Sequence, residues 1–570
     1  MQEVPNKKSW REDIYVFQKN KKFLATALAL TLTAGALLTG CGDSAAGTPG
    51  STEDDRQEKN LASDDRINRE NAEETPSTGA SLPIVDEPAT LQVWMPSDVA
   101  QMNVCAGDLN NTEFYKQLEE RTNVHIEWIN PASGTEQESL NLAIASGELP
   151  DIIITGSRTV NYIDGYDAAI DDGYYLDLTD LLPQYAPNYM AWLEANGEDF
   201  IKACKTDNGR FAFMGAFMRV EQTPFSGYMI RQDWLDELNL DIPVTYEDYE
   251  NVLTQFKEKK GATAPLFIQP TIDFWGLGIG YGAYGDFYQE NGTVYYAPYS
   301  NPEGTRSYLE TLHKWYENGL LDSDFATATG WTADPVMVNN GNTALFSAMY
   351  IQPQSQYAAV LEQGGSFTAL QPPKVNADDH LSTYQPKGVY GGAAIISTSC
   401  KNPEIAIRWL DYLYSEEGSL FASYGVENDT FIYDENGKPV FTEKITNNEN
   451  MDFAGALRYY VLAPGQLAGI MDWTRELQMV DEQYCAMCDV WVIDRDKAIP
   501  AEAVMNAEEN AEYSKIFADI QTYVNEYCTS LVTGTQSFDE FDTFISNLNT
   551  YGIERCIELK QSALDRYNSR

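Results

Sequence analysis

Basic side chains are scarce: 38 Lys and Arg stand against 86 Asp and Glu among 570 residues, a formal charge of −48. Such a chain cannot neutralise a phosphate backbone, which excludes nucleic acid as a partner, and it is repelled by anionic membrane surfaces. Histidine is nearly missing. His125, His313 and His380 are widely separated, which argues against a His-rich metal centre, and no metal or cofactor is expected. There is no nucleotide loop of the G-x-x-x-x-G-K-[ST] type, no nucleophile elbow, no H-E-x-x-H and no repeat of 20–50 residues. No apolar run reaches the length of about 20 residues that a spanning helix needs. Core-forming residues are plentiful, at 43% hydrophobic and 12% aromatic, and the length exceeds what one core fills.

The N-terminus is read as an export signal. Lys19, Lys21 and Lys22 precede an apolar run of 16 residues, Phe23 to Leu38, that ends in Leu38-Thr39-Gly40-Cys41. The Leu-x-Gly-Cys ending resembles the bacterial lipoprotein box, which makes Cys41 the lipidated (palmitate-bearing) first residue of a mature, membrane-anchored, extracytoplasmic protein. Residues 1–40 carry six basic and three acidic side chains, so the mature chain is more acidic still. Residues 41–88 contain no aromatic residue and are rich in Asp, Glu, Ser, Asn and Ala, the composition of a disordered acidic tether. Seven cysteines follow Cys41, an odd number that rules out a complete disulfide framework. Cys485-Ala486-Met487-Cys488 has no second pair and no His cluster beside it, and is read as two small apolar residues at helical spacing.

From Ala89 the chain alternates strands and helices. Leu91–Met95, His125–Trp128 and Asp151–Ile154 are short apolar strands separated by helical stretches, an order that predicts a parallel sheet covered by helices. Thr245-x-x-Asp248 predicts a capping box, Asn402-Pro403 a helix start, and Tyr433–Lys438 a hairpin turn rather than a calcium loop. Beyond residue 500 the pattern is nearly all helical, with Phe517, Ile520, Val524 and Leu531 on one face.

Several segments, in order, resemble the extracellular solute-binding proteins of family 1, in particular the long lipoprotein-type subgroup. They are Ala145-Ser146-Gly147-Glu148-Leu149-Pro150-Asp151-Ile152, then Met229-Ile230-Arg231-Gln232-Asp233-Trp234-Leu235 with Pro243–Asp248, Gly319–Phe325, Gly341–Phe346, and Asn402–Gly418. Gln561–Tyr567 resembles that subgroup's ending. The resemblance implies an α/β, two-lobe periplasmic-binding-protein-like fold (type II). Each lobe is expected to be a mostly parallel sheet flanked by helices, with a helical C-terminal extension. The expected organisation is lobe 1 from 89–215 and 335–385, lobe 2 from 216–334 and 386–470, and a helical region over 471–570 packing on the lobes. By the same resemblance Arg210–Phe217 is the first crossing between lobes, with recrossings near Asn340–Tyr350 and before Gly391.

A sugar offers apolar C–H faces and an equator of hydroxyls, so its site needs aromatic platforms beside Asp, Asn, Glu or Arg. In open α/β sheets such groups belong past the C-terminal ends of strands. Four stretches meet both conditions: Trp94 to Asp98, where the arrangement is similar to that of maltose-binding relatives; Ser157-Arg158; the Gly-spaced aromatic loop with Trp275 and Tyr284; and Tyr350. Glu221, Trp331, Tyr390 and Trp473 follow by the same reasoning. Each has a plainer reading: Trp94 as core, Asp98 as a helix N-cap, Arg158 as a solvated loop residue.

The function implied is a non-enzymatic, monomeric binder that hands a carbohydrate, an oligosaccharide above all, to the transmembrane subunits of an ABC permease. The alternatives are a surface glycoside hydrolase or lyase, since a carboxylate pair is easily hidden among so many acidic residues, or a binder of peptides or cationic solutes.

Overall fold

The computed structural model describes residues 82–155, 162, 164–269, 274–328, 333–463 and 467–570. Cys41, Ser157, Arg158 and Trp331 therefore lie outside the described residues. In chain order the strands are β1 (Ala89–Trp94), β2 (Val124–Ile129), β3 (Ile152–Thr155), β4 (Met214–Met218), β5 (Ser226–Arg231), β6 (Phe287–Glu290), β7 (Thr293–Tyr296), β8 (Leu345–Met349), β9 (Phe367–Leu370), β10 (Ala393–Ile396), β11 (Phe431–Tyr433), β12 (Pro439–Phe441) and β13 (Gly469–Met471).

Six of these form the first sheet, ordered β13-β4-β10-β3-β1-β2. β1 runs parallel to β2 and β3, β10 runs antiparallel to both β3 and β4, and β13 is parallel to β4. β3 and β10 are buried at every position, as their unbroken apolar runs require when helices cover both faces. Helix Pro403–Tyr412, started by a proline that needs no N–H partner there, drives Ile407, Trp409 and Leu410 into this core.

The second sheet has three strands, ordered β8-β5-β9, and both pairings are antiparallel. Alternation along the strands splits their side chains between two cores. Tyr228, Ile230, Leu345 and Leu370 face the core that holds Trp315 and Tyr249. Met229, Phe346 and Ala369 face the other, with Tyr484, Cys488 and Trp491.

Four expectations are corrected here. Residues 82–88, expected to close the disordered tether, pack on the first lobe instead: Ile84 is buried in its core and donates its N–H to Thr122 O at 3.1 Å. The second sheet is antiparallel, because an apolar run records that a strand is buried and not the direction in which it is entered. Residues 335–385 and 386–470 exchange lobes: β8 and β9 flank β5, whereas β10 and β13 belong with β3 and β4. Arg210–Phe217 and Asn340–Tyr350 are not crossings, since they carry β4 and β8, each paired inside its own sheet.

Helices Ala507–Val532, Phe541–Tyr551 and Ile553–Ser569 add Ile520, Val524, Leu531, Phe544 and Leu564 to the Trp315 core. The first of them begins with a capping box, Asn506 and Glu509, and the helix Tyr246–Gln255 with the one expected of Thr245 and Asp248. β11 and β12 form the expected hairpin, with Gly437 alone in its turn taking a positive φ. All seven described cysteines are free thiols, and six are buried.

Candidate functional site

Strand directions place the site. The C-terminal ends of β1, β2, β3, β4 and β13 and the N-terminal end of β10 share one edge of the first sheet. From this edge the chain passes to the second sheet along residues 219–225 and returns along 371–392; after β13 it leaves again, from residue 472. The corresponding edge of the second sheet holds the start of β5 and the ends of β8 and β9, with Ser226 opposite Met349 and Tyr228 opposite Leu370. The crossings thus join these two sheet edges, the position at which ligands of open α/β sheets sit.

The crossings are tied to one another. Lys387 Nζ lies 2.9 Å from Glu221 Oε1, and Trp473 donates its indole N–H to the Glu221 carbonyl at 3.2 Å. Arg219 N–H donates to Met471 O at 2.8 Å, extending the β4–β13 pairing by one residue. Glu221, in the first crossing, thus contacts both of the others. Its side chain remains 61% exposed, and Trp473 is buried.

On the first edge, Trp94 is 1% exposed and donates its indole N–H to Ser139 Oγ at 3.1 Å. It is a core residue and offers no open platform, which corrects that expectation. Asp98 caps the helix Val99–Val104, accepting from Gln101 N–H at 2.6 Å, and also accepts from Arg458 at 3.3 Å. Its side chain stays 62% exposed, so the cap leaves an oxygen edge toward solvent. Arg458 escaped the sequence reading because it reaches Asp98 from a helix 360 residues away. Beneath the pair, Arg458 Nε and Gln101 Oε1 are buried without hydrogen-bond partners.

On the second lobe, Trp275 is half-buried with one face against Gly285, whose φ is +71°; a Cβ there would stand 2.2 Å from the indole. Phe274 meets Trp275 edge-on at 5.1 Å. Tyr284 is buried between Tyr288 and Tyr384, at 5.2 and 5.4 Å, and burial pushes its phenol upward. Tyr350 is buried in the core of Trp491, its phenol raised by burial and by Glu476 nearby. Tyr390 lies 4.8 Å from Phe213 over Gly215. The aromatic loop is therefore largely inward, with Trp275 and Tyr281 half-buried and Tyr281 stacked on Tyr246 at 4.2 Å. Gln269, 4% exposed, ends the described part of a segment bridged to β8 at Leu345, a placement no local pattern announces.

A separate open cavity of about 370 Å³ lies beside the second crossing, lined by Gln371, Lys374, His380 and Asp494 among others. Among the described residues no group of three or more His, Cys, Asp or Glu could hold a metal ion, and no helix is long and apolar enough to cross a membrane.

Residues 113–423 match the family model of the bacterial extracellular solute-binding proteins. The chain is similar to the fructooligosaccharide ABC transporter substrate-binding protein FusA of Streptococcus pneumoniae, 22% identical over 81% of this chain and 88% of that one. It is also similar to lipoprotein LipO of Bacillus subtilis, 25% identical over 59% of this chain and 66% of that one. Among solved structures, an HMO-binding, ABC-transporter-associated solute-binding protein of Bifidobacterium longum infantis superposes with a TM-score of 0.65. It is 19% identical and covers 85% of this chain and 99% of that one.

Proposed function

We propose that this chain, which belongs to the bacterial extracellular solute-binding protein family, captures an oligosaccharide between its two lobes and delivers it to an ABC permease. The observation that carries the reading is the shared sheet edge from which the crossings leave, a geometry built for two lobes to close on a solute. Relatives named for fructooligosaccharide and HMO binding support a sugar as the solute. Asp98 and Trp275 supply the two kinds of contact a pyranose needs, a carboxylate edge and a partly free ring face. Ser157, Arg158 and Trp331 complete the proposed ligand set. The protein acts by differential affinity for the closed arrangement and performs no chemistry on the sugar.

We place it on the extracytoplasmic face of the cell membrane as a monomer, held by lipid on Cys41. The lipobox supports this anchor, and replacing Cys41 with Ser is expected to move the protein into the soluble fraction. Retention of the Cys41→Ser variant in the membrane fraction overturns the anchor.

The direct test is a thermal-shift and calorimetric screen of residues 82–570 against fructooligosaccharides, milk oligosaccharides, peptides and polyamines. Saturable stabilisation by a saccharide, with no new reducing ends after long incubation, is the expected result. Stabilisation by peptides or polyamines alone overturns the ligand class, and release of reducing ends overturns the non-enzymatic reading.

A further inference from the structure

The helix Ile553–Ser569 belongs to the second lobe along most of its length and grips the first lobe at its end. Ile553, Cys556 and Leu564 are set in the Trp315 core. Gln561 is bonded to the β6–β7 hairpin in both directions: its Nε2 donates to Gly292 O and its Oε1 accepts from Val294 N–H, each at 2.8 Å.

The following turn contacts the other lobe. Arg566 Nε donates to Asp207 Oδ2 at 3.2 Å, and Arg570 Nε donates to Asp207 Oδ1 at 2.8 Å. Arg570 also donates to Lys205 O at 3.0 Å, and the Lys202 ammonium stands 4.3 Å over the Tyr567 ring. Asp207 is fixed within the first lobe, in a turn whose Thr206 and Asn208 both donate to the Asp167 carboxylate, at 2.7 and 3.1 Å. The two guanidinium groups are held from behind as well. Glu509 takes Arg566 through both of its oxygens, and Glu502 O accepts from Arg570 at 3.1 Å.

We propose that this helix is a fourth connection between the lobes, a non-covalent strap whose Arg566–Asp207–Arg570 knot sets the resting lobe angle. The inference rests on the reading that the lobes move to take a solute. Its physical basis is position and desolvation. The covalent crossings all leave one sheet edge and so act as a hinge, whereas the Asp207 turn precedes the start of β4, away from the end at which that strand crosses. A contact off the hinge resists rotation in a way that bonds at the hinge do not. The Arg570 side chain is 6% exposed and Asp207 30%, so this is not a screened surface pair, and one carboxylate answers two cations. Any change of lobe angle must break the knot or carry it along.

The test needs no sugar, which separates it from the transport reading. Small-angle X-ray scattering and amide hydrogen exchange are measured on the full ligand-free chain and on Asp207→Asn, the double variant Arg566→Gln/Arg570→Gln, and Arg555→Gln. The last removes ion pairs from the strap helix to Glu512, on the helix Ala507–Val532, and to Glu558, on its own helix, without touching the first lobe. The expected result is exchange at least about tenfold faster over 205–211 and 562–570 in both knot variants, with a scattering curve displaced toward a broader range of lobe angles. Arg555→Gln is expected to leave both unchanged. Faster exchange with an unmoved scattering curve overturns the strap and leaves a local packing contact; unchanged exchange overturns it as well. If Asp207→Asn does not fold, the double arginine variant makes the same decision from the other side of the contact. A chain that binds no saccharide but shows loosened lobes keeps this inference and fails the transport reading.

Discussion

The indole N–H of Trp473 donates to the backbone carbonyl of Glu221 at 3.2 Å, joining the chain that leaves β13 to the chain that leaves β4. A buried donor is thereby satisfied at the hinge itself, between segments 252 residues apart. Trp473→Phe keeps the ring and removes the donor. The expected cost is about 0.5–1.5 kcal/mol of stability, read from chemical denaturation. Glu221→Gln, which weakens only the pair with Lys387 at its solvent-facing carboxylate end and keeps a hydrogen-bond acceptor for the ammonium, is expected to cost less than about 1 kcal/mol. A larger loss for Glu221→Gln than for Trp473→Phe contradicts this ordering.

Gly227 of β5 lies directly under Trp491, and a Cβ added there would stand 2.4 Å from the indole. Trp491 in turn donates its N–H to Tyr228 O at 2.9 Å, so the ring cannot simply swing away. Gly227→Ala is expected to destabilise the second lobe by about 1–3 kcal/mol through overpacking. Part of that loss should return in the Gly227→Ala/Trp491→Leu double variant. Equal melting of Gly227→Ala and the parent would refute the contact.

Two tryptophans singled out for one role are separated by burial. Trp94→Ala empties a core site, and about 3–5 kcal/mol of stability should be lost with it. Trp275→Ala should instead weaken saccharide affinity by about 1–3 kcal/mol at a smaller thermal cost, because the ring's outer face is what a sugar would cover. Calorimetry beside melting curves distinguishes the two; normal saccharide binding by Trp275→Ala would remove it from the ligand set.

Asp411 gives the first lobe an unusual pH response. Its carboxylate is 1% exposed and accepts from Asn188 Nδ2 and Tyr189 N–H, each at 2.8 Å, at the start of helix Pro187–Asn196. Burial outweighs these bonds and pushes its pKa up to about 6. The unfolded value is about 4. Between those two values the folded state holds a proton that the unfolded state has lost, so this group's contribution to stability rises as pH falls from about 7 to 4. Burial raises Asp167 and Asp233, but their hydrogen bonds and an arginine beside each outweigh it and hold them low, as hydrogen bonds hold Asp248; the contribution of all three is lost only at more acidic pH. Melting temperature should therefore climb from pH 7.5 to 5, and the climb should be shallower in Asp411→Asn. Parallel profiles for the two proteins would exclude Asp411 as a source.

Local chemistry was open to reading from the chain alone: the capping box at Thr245, the proline start at Pro403, and the apolar strands β1 and β3. Each depends on residues a few positions apart, and their ordered segments were enough to indicate the family. The division into lobes was not open in this way. An apolar strand such as Leu345–Met349 satisfies either core equally, and only its pairing with β5 assigns it to the second sheet. The same holds at the site. A tryptophan at a strand's end is a platform or a core residue according to what covers it, and Trp94 is enclosed in the first core with its N–H taken by Ser139. Arg458 meets Asp98, and Arg570 meets Asp207, across 360 and 363 residues of chain. Sequence determined the elements and the chemistry on offer, because those are set by neighbours along the backbone. Tertiary structure decided which aromatic rings stay open and which charges meet, because burial and pairing depend on neighbours in space.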